Sequence, residues 1–455
     1  MKQSCTPLWQ DGFVRQAREP LNENAEVDVT IVGGGYTGLW TAYYLKKLEP
    51  RLSIVVLEAN TVGFGGSGRN GGWCSAFLPM STSEMAAHHG NQAMQFIQRE
   101  MFSTLDEIER VTVVEKIECG FHKGGTITNA SNKAHIDRLQ DYVQEWHASG
   151  FDDDVMRWED ADQLSDRVNV RQSFGGVFSP HCAVVHPYAL VQGLATAVEK
   201  LGVRIYENSR VEKLEPHVAQ LQHGRVRSKW IVQAIESFAS QLRQTKRSIA
   251  PLYSLMVATE PLSQHVWNEI GWSGRETFAD GRNMVTYAQR TSDGRIAFGG
   301  RGAPYHFGSQ ISPDYDQHQR IHERLRQAVR ETFPELDDVS FTHAWGGPVG
   351  ATRDWHAFAN VDRQSGVCAG GGYVGDGVAL SNLIARTLAN QIVDTDSPLT
   401  QSLVVNHFAK KWELEPLRWL GINGLLKVTD LADARESHTA APATRLLAIR
   451  DGFLG

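Results

Sequence analysis

The order of hydrophobic and polar positions predicts a strand, a helix and a second strand near the start of the chain. The run from Val27 to Val32 is short and rich in β-branched residues. Leu39 and Tyr43 then lie on one helical face. Glu49-Pro50 ends that helix, because the residue before a proline is disfavoured in helical geometry. The run from Ser53 to Leu57 completes a predicted βαβ unit.

A glycine cluster joins the first strand to the helix. Gly33, Gly35 and Gly38 have G-x-G-x-x-G spacing, and Glu58 ends the second strand. Such glycines allow a tight turn, backbone approach to a pyrophosphate and close packing of helix on strand, while the acid can accept hydrogen bonds from ribose hydroxyls. An acid at this position argues against a 2′-phosphate, so NADP is disfavoured. The alternative is a glycine-rich turn in an ordinary α/β protein.

Two further glycine-rich segments point to the same ligand. "GFGGSGRNGGWCS" (63–75) contains six glycines in thirteen residues, and its alternative interpretation is a flexible linker. "GVCAGGGYVGDGVALSNLIARTLANQIV" (366–393) has the pattern of strand, glycine turn and amphipathic helix. Because a helix N-terminus favours electron-rich groups, these segments predict a large cofactor held from both ends of the sequence.

Composition limits the class of protein. A chain of 455 residues is long enough for two domains, and its net charge of -7 makes nucleic acid and anionic membranes unexpected partners. It has no apolar run long enough to predict a membrane span and no apolar signal core. The five cysteines are scattered without C-x-x-C, which argues against a clustered zinc site and favours a reducing compartment. We therefore expect a cytoplasmic protein without a metal site.

Several segments resemble one flavoprotein family in the expected order. They are "SGRNGG" (67–72), "HPYALVQGLATAVEKLGVRIYENSRV" (186–211), "SLMVATEPL" (254–262), "GGYVGDGV" (371–378) and "WELEPLRWLG" (412–421). With the first glycine cluster, they are similar to the FAD-dependent amine and amino-acid oxidoreductases of the D-amino-acid oxidase and glycine oxidase superfamily. Within it, the chain resembles the branch that contains γ-glutamylputrescine oxidase.

The resemblance implies non-covalently bound FAD, since relatives with a covalent link use a cysteine from a different, C-terminal segment. It also implies which residues surround the cofactor. These residues are Gly33, Gly35, Tyr36, Thr37, Gly38, Glu58, Ala59, Ser67, Gly68, Arg69, Asn70, Gly71, Gly72, Val211, Gly372, Tyr373, Gly375, Asp376, Gly377 and Val378.

The implied fold class is α/β. A Rossmann-like FAD-binding domain is interleaved with an α+β substrate domain that has a mainly antiparallel sheet. The expected FAD domain comprises residues 26–75, 176–245 and 362–400, and the substrate domain comprises 76–175 and 246–361. A helical extension is expected over 401–455. Asp293-Gly294, between two β-rich runs, predicts a hairpin.

Two positions depart from the family pattern. Ile235 and Glu236 stand where relatives have small polar residues, which puts cofactor contacts there in doubt. The strand "DGRIAFGGRG" (293–302) lacks the lysine that helps some sarcosine-oxidizing relatives react with dioxygen. The sequence therefore leaves two alternatives for reoxidation of the flavin, dioxygen or another electron acceptor.

Candidate residues for the substrate side follow from the same comparison. Arg301 would face the substrate and bind a carboxylate or phosphonate in a fork, with a surface salt bridge as the alternative. Tyr253 and His343 are further catalytic candidates, although such a histidine is more often a core residue. Trp345 and Trp355 lie in segments that would also roof the site.

The predicted reaction is oxidation of the C–N bond of a primary or secondary amine. A polyamine derivative, an amino acid or an aminophosphonate would give an imine that hydrolyses to a carbonyl compound. Hydride transfer to flavin N5 needs position and electrostatics more than an acid–base pair. The alternatives are a flavin hydroxylase that uses NAD(P)H and a non-catalytic flavin-binding regulatory protein.

Overall fold

The chain folds into two large β-sheets with helices packed on them, in a computed structural model that describes residues 4–454. Within these residues the strands are β1 (Ala25–Val32), β2 (Ile54–Leu57), β3 (Trp73–Ser75), β4 (Thr126–Asn129), β5 (Arg157–Glu159), β6 (Gly176–Ser179), β7 (Cys182–Val184), β8 (Arg204–Tyr206), β9 (Val211–Glu215), β10 (Val218–Leu221), β11 (Arg225–Gln233), β12 (Ala250–Thr259), β13 (Thr277–Asp280), β14 (Thr286–Arg290), β15 (Ile296–Gly300), β16 (Phe341–Ala351), β17 (Phe358–Val361) and β18 (Val367–Gly371). The α-helices are α1 (Tyr36–Leu48), α2 (Thr82–His89), α3 (Asn91–Val114), α4 (Lys133–Ala148), α5 (Ala161–Ser165), α6 (Pro187–Lys200), α7 (Gln264–Ile270), α8 (Gln319–Thr332), α9 (Gly377–Val393), α10 (Leu417–Thr439) and α11 (Thr444–Leu454).

The first sheet has the predicted βαβ unit at its centre. Its order is β17-β18-β11-β1-β2-β8, and β1 runs parallel to both β2 and β11. The whole of β2 is buried, as is β1 from Val29 to Val32, which explains their uninterrupted apolar sequences. β9 and β10 continue from β11 as an antiparallel ribbon. The expected Rossmann-like fold of this part is confirmed.

Helices α1 and α9 pack together in the main hydrophobic core. α1 ends at Leu48, directly before Glu49-Pro50, as the sequence predicts. Nearly every residue of α9 is buried, because the helix lies between the first sheet and the helices α1 and α3. The N-termini of α1 and α9 both reach the same cavity, which is described below.

The second sheet is mainly antiparallel, with the order β16-β12-β15-β14-β13-β4-β6-β5. Its one parallel pair among the described residues is β13 with β4. β14 and β15 form the predicted hairpin, and Gly294 at its tip has a φ of 77° that favours glycine. This sheet agrees with the α+β fold expected of a substrate domain.

The exact domain boundaries stay a prediction. β6 lies inside the segment 176–245 that was expected in the FAD domain, but it pairs with β4 and β5 of the second sheet. β17 precedes the expected boundary at 362, yet it pairs with β18 of the first sheet. The sheet to which β6 and β17 belong is decided by pairing with strands that are distant in sequence. Local sequence does not encode that pairing.

The last two helices pack on the second sheet's loops. In α10 the buried Glu436 accepts hydrogen bonds from Arg138 and Asn283, so this helix is fixed to α4 and to the segment before β14. Among residues 4–454, no helix combines the length and the apolar character that crossing a membrane requires.

Candidate active site

A cavity that opens to solvent lies where the two sheets meet. The ends of β1 and β2 form one wall, and β12, β14 and β16 form the opposite wall. Most residues expected to surround the cofactor line it. They are Gly33, Gly35, Tyr36, Thr37, Glu58, Ala59, Ser67, Arg69, Asn70, Gly71, Val211, Tyr373, Gly375, Asp376, Gly377 and Val378.

Four predicted glycines do not line the cavity but permit close packing beside it. A Cβ atom on Gly38 would lie 2.1 Å from the Gly33 carbonyl oxygen, and one on Gly68 would lie 2.2 Å from that of Gly63. Gly72 and Gly372 have positive φ, and a Cβ atom on them would lie 1.9 Å from Gln289 Nε2 and 2.4 Å from the His356 carbonyl oxygen. These positions therefore shape the cavity without facing it, and a side chain at any of them would displace its walls.

The turn between β1 and α1 has the features of a phosphate site. Gly33 has a φ of 110°, and Gly35, the residue before α1, provides no side-chain cap. The Tyr36 amide donates to Ser67 Oγ at 2.9 Å, which joins this turn to the 63–75 loop. The amides at a helix N-terminus favour an anion, so this end of the cavity fits a pyrophosphate.

Glu58 follows β2 and faces the same part of the cavity. Its Oε2 accepts a hydrogen bond from the Gly34 amide at 2.8 Å, and its Oε1 accepts one from the Asn60 amide at 2.9 Å. Burial raises the pKa of this carboxyl, although the amide donors oppose the shift. The remaining lone pairs are suited to accept hydrogen bonds from a ribose.

The 63–75 loop packs between the sheets, which does not agree with a flexible linker. Arg69 forms an ion pair with Asp316 and donates from Nε to the Phe64 carbonyl at 2.6 Å. The Arg69 carbonyl accepts a hydrogen bond from Trp345 Nε1 at 2.9 Å. Burial raises the pKa of Asp316 to about 6, and Arg69 opposes that shift. The loop is therefore held by both walls of the cavity.

The turn before α9 mirrors the first glycine turn. Val374 and Gly375 have φ angles of 49° and 104°, and α9 begins without a side-chain cap. The Tyr373 hydroxyl and Thr37 Oγ1 are 2.7 Å apart, so a direct hydrogen bond joins the start of α1 to the turn before α9. Both helix N-termini therefore meet one elongated ligand site, as a dinucleotide with an electron-rich ring requires.

Arg301 lines the cavity next to this second turn. Its Nη2 donates to the Val374 carbonyl, and its guanidinium carbon lies 5.6 Å from the centre of the Trp355 ring. The surface salt bridge considered for it is not found, because no carboxylate oxygen lies within 4.0 Å of its guanidinium among residues 4–454. Asp376 is the nearby acid, and burial raises its pKa to about 6 while Arg301 opposes the shift.

The structure places the other two catalytic candidates outside the cavity lining. Tyr253 points to the opposite face of β12, where its hydroxyl bonds to the Ser312 backbone, because successive side chains alternate along a strand. His343 lies four residues before Gly347, where β16 reaches the cavity, and its Nε2 is 3.3 Å from Asp11 Oδ2. Neither side chain therefore has a part in the proposed mechanism. Trp345 donates a hydrogen bond to the Arg69 carbonyl, and the Trp355 ring packs against the Arg301 guanidinium.

The sequence did not identify three polar residues that line the cavity. Ser254 Oγ and the Tyr287 hydroxyl are 2.8 Å apart, on β12 and β14, and both residues line the cavity. Burial raises the pKa of the Tyr287 phenol. Glu236 accepts a hydrogen bond from the Gly350 amide at 2.7 Å. In the sequence, Glu236 stood out only because it departs from the family pattern. No local pattern distinguished Ser254 or Tyr287 as a site residue.

The cysteines leave the cavity free of thiols. Cys74, Cys119, Cys182 and Cys368 are buried, Cys5 is exposed, and none of these five lines the cavity. A thioether link to a bound cofactor is therefore not available from them.

Taken together, the fold and the site define a dinucleotide-binding oxidoreductase in which a second sheet covers the cofactor cavity. Residues 28–391 match the family described as FAD dependent oxidoreductase (DAO), and the chain belongs to this family. Its cofactor is FAD, which confirms the predicted class and cofactor.

The chain is similar to several curated proteins. It is 28% identical over 391 residues to "Probable oxidoreductase OrdL" of Haemophilus influenzae, a match that covers 84% of this chain and 86% of the relative. It is also 28% identical over 378 residues to "Gamma-glutamylputrescine oxidoreductase" of Escherichia coli, covering 82% and 84%. Among solved structures, glycine oxidase from Geobacillus kaustophilus has a TM-score of 0.67 at 19% identity, covering 84% of this chain and 99% of that one.

Proposed function

We propose that the protein oxidises the C–N bond of a primary or secondary amine or amino acid to an imine, which water then hydrolyses to a carbonyl compound. The observation that carries this proposal is the meeting of Ser254, Tyr287 and Arg301 with the glycine turn before α9 in one cavity. The match to gamma-glutamylputrescine oxidoreductase supports an amine as the substrate.

The two glycine turns fit FAD by their donor sets. Gly35 and Thr37 would lie along the pyrophosphate, and Glu58 and Val211 would bind the adenosine half. The uncapped N-terminus of α9 would face the flavin, where partial positive charge stabilises the electrons that the ring gains. When bound, FAD supplies the acceptor for the hydride that leaves the substrate carbon.

The protein's own part in the reaction is to orient the substrate and exclude water. Arg301 is held by the Val374 carbonyl and Trp355, so its remaining donors are pre-positioned for an anionic substrate group. The hydroxyl groups of Tyr287 and Ser254 share a hydrogen bond, and both residues line the cavity that Arg301 also lines. Fixing the reacting carbon in this way lowers the barrier through orientation rather than through a proton relay.

An anaerobic panel of amines and amino acids tests the proposal. The holoenzyme is mixed with each compound without oxygen, and loss of flavin absorbance is followed. We expect at least one compound to reduce the flavin, with dioxygen and a dye then compared as acceptors. Reduction by NAD(P)H and by no amine would instead indicate a hydroxylase. Reduction by neither would indicate a regulatory protein.

Arg301→Ala and Arg301→Lys extend the test to the proposed anchor. Arg227, exposed on β11, supplies the matched control variant Arg227→Ala. We expect only the Arg301 variants to weaken flavin reduction by substrates that carry an anionic group, while bound FAD is retained.

The proposal does not depend on the location of the protein, its electron acceptor or its oligomeric state. A cytoplasmic location stays a prediction from the unpaired cysteines.

A further inference from the structure

The N-terminal segment (4–24) precedes β1 and is fixed to both sheets. Ser4 forms a β-bridge to β16 of the second sheet. Arg18 forms an ion pair with buried Glu207, the residue after β8 of the first sheet. The family match begins only at residue 28. The segment therefore lies outside the matched part of the chain, although it spans the two sheets that enclose the cofactor cavity.

Trp9 lies between these two contacts and is buried. Its Nε1 donates a hydrogen bond to the Asn70 carbonyl of the 63–75 loop at 2.8 Å. Trp345 Nε1 donates to the preceding carbonyl, that of Arg69, at 2.9 Å. The two indole rings pack edge to face with their centres 6.2 Å apart, and neither residue lines the cavity. Two tryptophans therefore hold consecutive carbonyls of the loop from the side away from the cavity.

The hydrogen bond from Trp9 fixes the direction of the peptide between Asn70 and Gly71. This peptide is trans, and a planar trans peptide directs its N–H opposite to its C=O. Because the C=O meets Trp9, the N–H of Gly71 is directed toward the cavity that Gly71 lines. Within residues 4–454 this N–H donates to no protein acceptor. It is therefore a backbone donor suited to a bound ligand.

The loop's own hydrogen bonds do not hold this peptide. The Asn70 side chain donates to the carbonyls of Gly66 and Ser67 and accepts from the Gly72 amide, so it closes the loop on itself. Gly71, on the other side of the peptide, has no side chain that would oppose its rotation. The contact that orients the peptide thus comes from outside the loop, from Trp9.

We propose that Trp9 is a positioning residue for the cofactor, which holds the Asn70–Gly71 peptide so that the Gly71 N–H donates a hydrogen bond to bound FAD. The N-terminal segment thereby becomes part of the cofactor site. This inference depends on FAD and not on the identity of the substrate, so it goes beyond the proposed function.

The variant Trp9→Phe keeps an aromatic ring and removes the indole N–H. Holoenzyme is diluted, and FAD release is followed by the recovery of flavin fluorescence. We expect release to be about fivefold faster than in wild type, the effect of one lost hydrogen bond. Trp267→Phe is the matched control, because Trp267 is also buried but its Nε1 has no hydrogen-bond partner within residues 4–454. It should lower thermal stability through the lost volume and leave FAD release unchanged.

Hydrogen exchange separates positioning of the loop from a general loosening of the fold. The holoenzyme is kept saturated with FAD, and exchange is measured by mass spectrometry in peptides that cover 66–75 and 25–32. We expect Trp9→Phe to speed exchange in 66–75 and to leave exchange in 25–32, which covers β1, as in wild type. Equal acceleration in both peptides would indicate a merely structural role and overturn the proposal.

Wild-type protein supplies a test that needs no variant. Coupling between two sites is reciprocal, so FAD that is stabilised by the docked Trp9 must in turn hold the N-terminal segment in place. We expect residues 5–20 to exchange more slowly in the holoenzyme than in the apoprotein. Equal exchange with and without FAD, or equal FAD release from Trp9→Phe and Trp267→Phe, would also overturn the proposal. No amine enters these measurements, so their outcome is independent of the proposed oxidation.

Discussion

Replacing Glu236 with glutamine should remove a pH dependence of folding stability that this residue imposes. Burial raises the pKa of Glu236 from 4.5 to about 7, although the amides of Gly350, Ser237 and Tyr373 oppose the shift. Its Oε1 is buried and has no hydrogen-bond partner among residues 4–454. The carboxylate form is therefore disfavoured in the folded protein relative to the unfolded chain.

The direction and size of the effect follow from proton linkage. Between pH 4.5 and 7 the folded protein keeps a proton on Glu236 that the unfolded chain has lost. Folding stability therefore falls as the pH rises through this window and is level above it. Since one pKa unit corresponds to about 1.4 kcal/mol, the total loss is about 3 kcal/mol. For a chain of this length, about 1 kcal/mol shifts Tm by about 1 °C, so the expected change is about 3 °C.

Thermal unfolding of wild type and Glu236→Gln at steps from pH 4.5 to 8.5 measures this effect. Glutamine keeps the size of the side chain and can still accept from the Gly350 amide. As the pH rises from 4.5 to 7, the Tm of wild type should fall by about 3 °C relative to that of the variant. Above pH 7 the difference in Tm should stay constant. Glu212→Gln, exposed on β9, is the control and should track wild type. Parallel curves for wild type and Glu236→Gln would refute the reasoning.

Three further predictions concern the cofactor and the substrate. Gly38→Ala should yield protein without flavin absorbance, since its Cβ would lie 2.1 Å from the Gly33 carbonyl, while Gly424→Ala, with open space around it, should keep its FAD. Tyr373→Phe should weaken FAD binding to the apoprotein by about fivefold, the equivalent of about 1 kcal/mol for the lost hydrogen bond to Thr37, and an additive loss in the double variant with Thr37→Val would contradict this. Arg301→Ala should raise KM for an anionic substrate by an equivalent of about 2–5 kcal/mol with lysine restoring only part, and unchanged KM values would exclude the anchor.

Most residues that the sequence predicted around the cofactor line the cavity, because the pattern that marks them is local. Gly33 and Gly375 need backbone conformations that favour glycine, and each lies within three residues of a helix start, so their spacing identifies them. The substrate side depended on strand register instead. Tyr253 and Ser254 are neighbours on β12, but only Ser254 faces the cavity, and pairing with β15 and β16 decides this.

Long-range contacts also explain what the sequence could not predict. Tyr287 reaches the site because Gly71, from a distant segment, and Gly299, its partner on β15, leave room for its ring. Glu236 stood out only as a departure, and its amide partner Gly350 is 114 residues away along the chain. His343 was a reasonable candidate by residue type, yet β16 carries it away from the cavity.

The most direct test of the central claim is the stoichiometry of a single anaerobic turnover. Holoenzyme is mixed with an excess of the best amine or amino acid from the panel, and both flavin reduction and the carbonyl product are quantified. The account predicts one carbonyl compound formed for each FAD reduced, with no NAD(P)H required. Flavin that stays oxidised with every amine, or that is reduced without formation of a carbonyl compound, would contradict it.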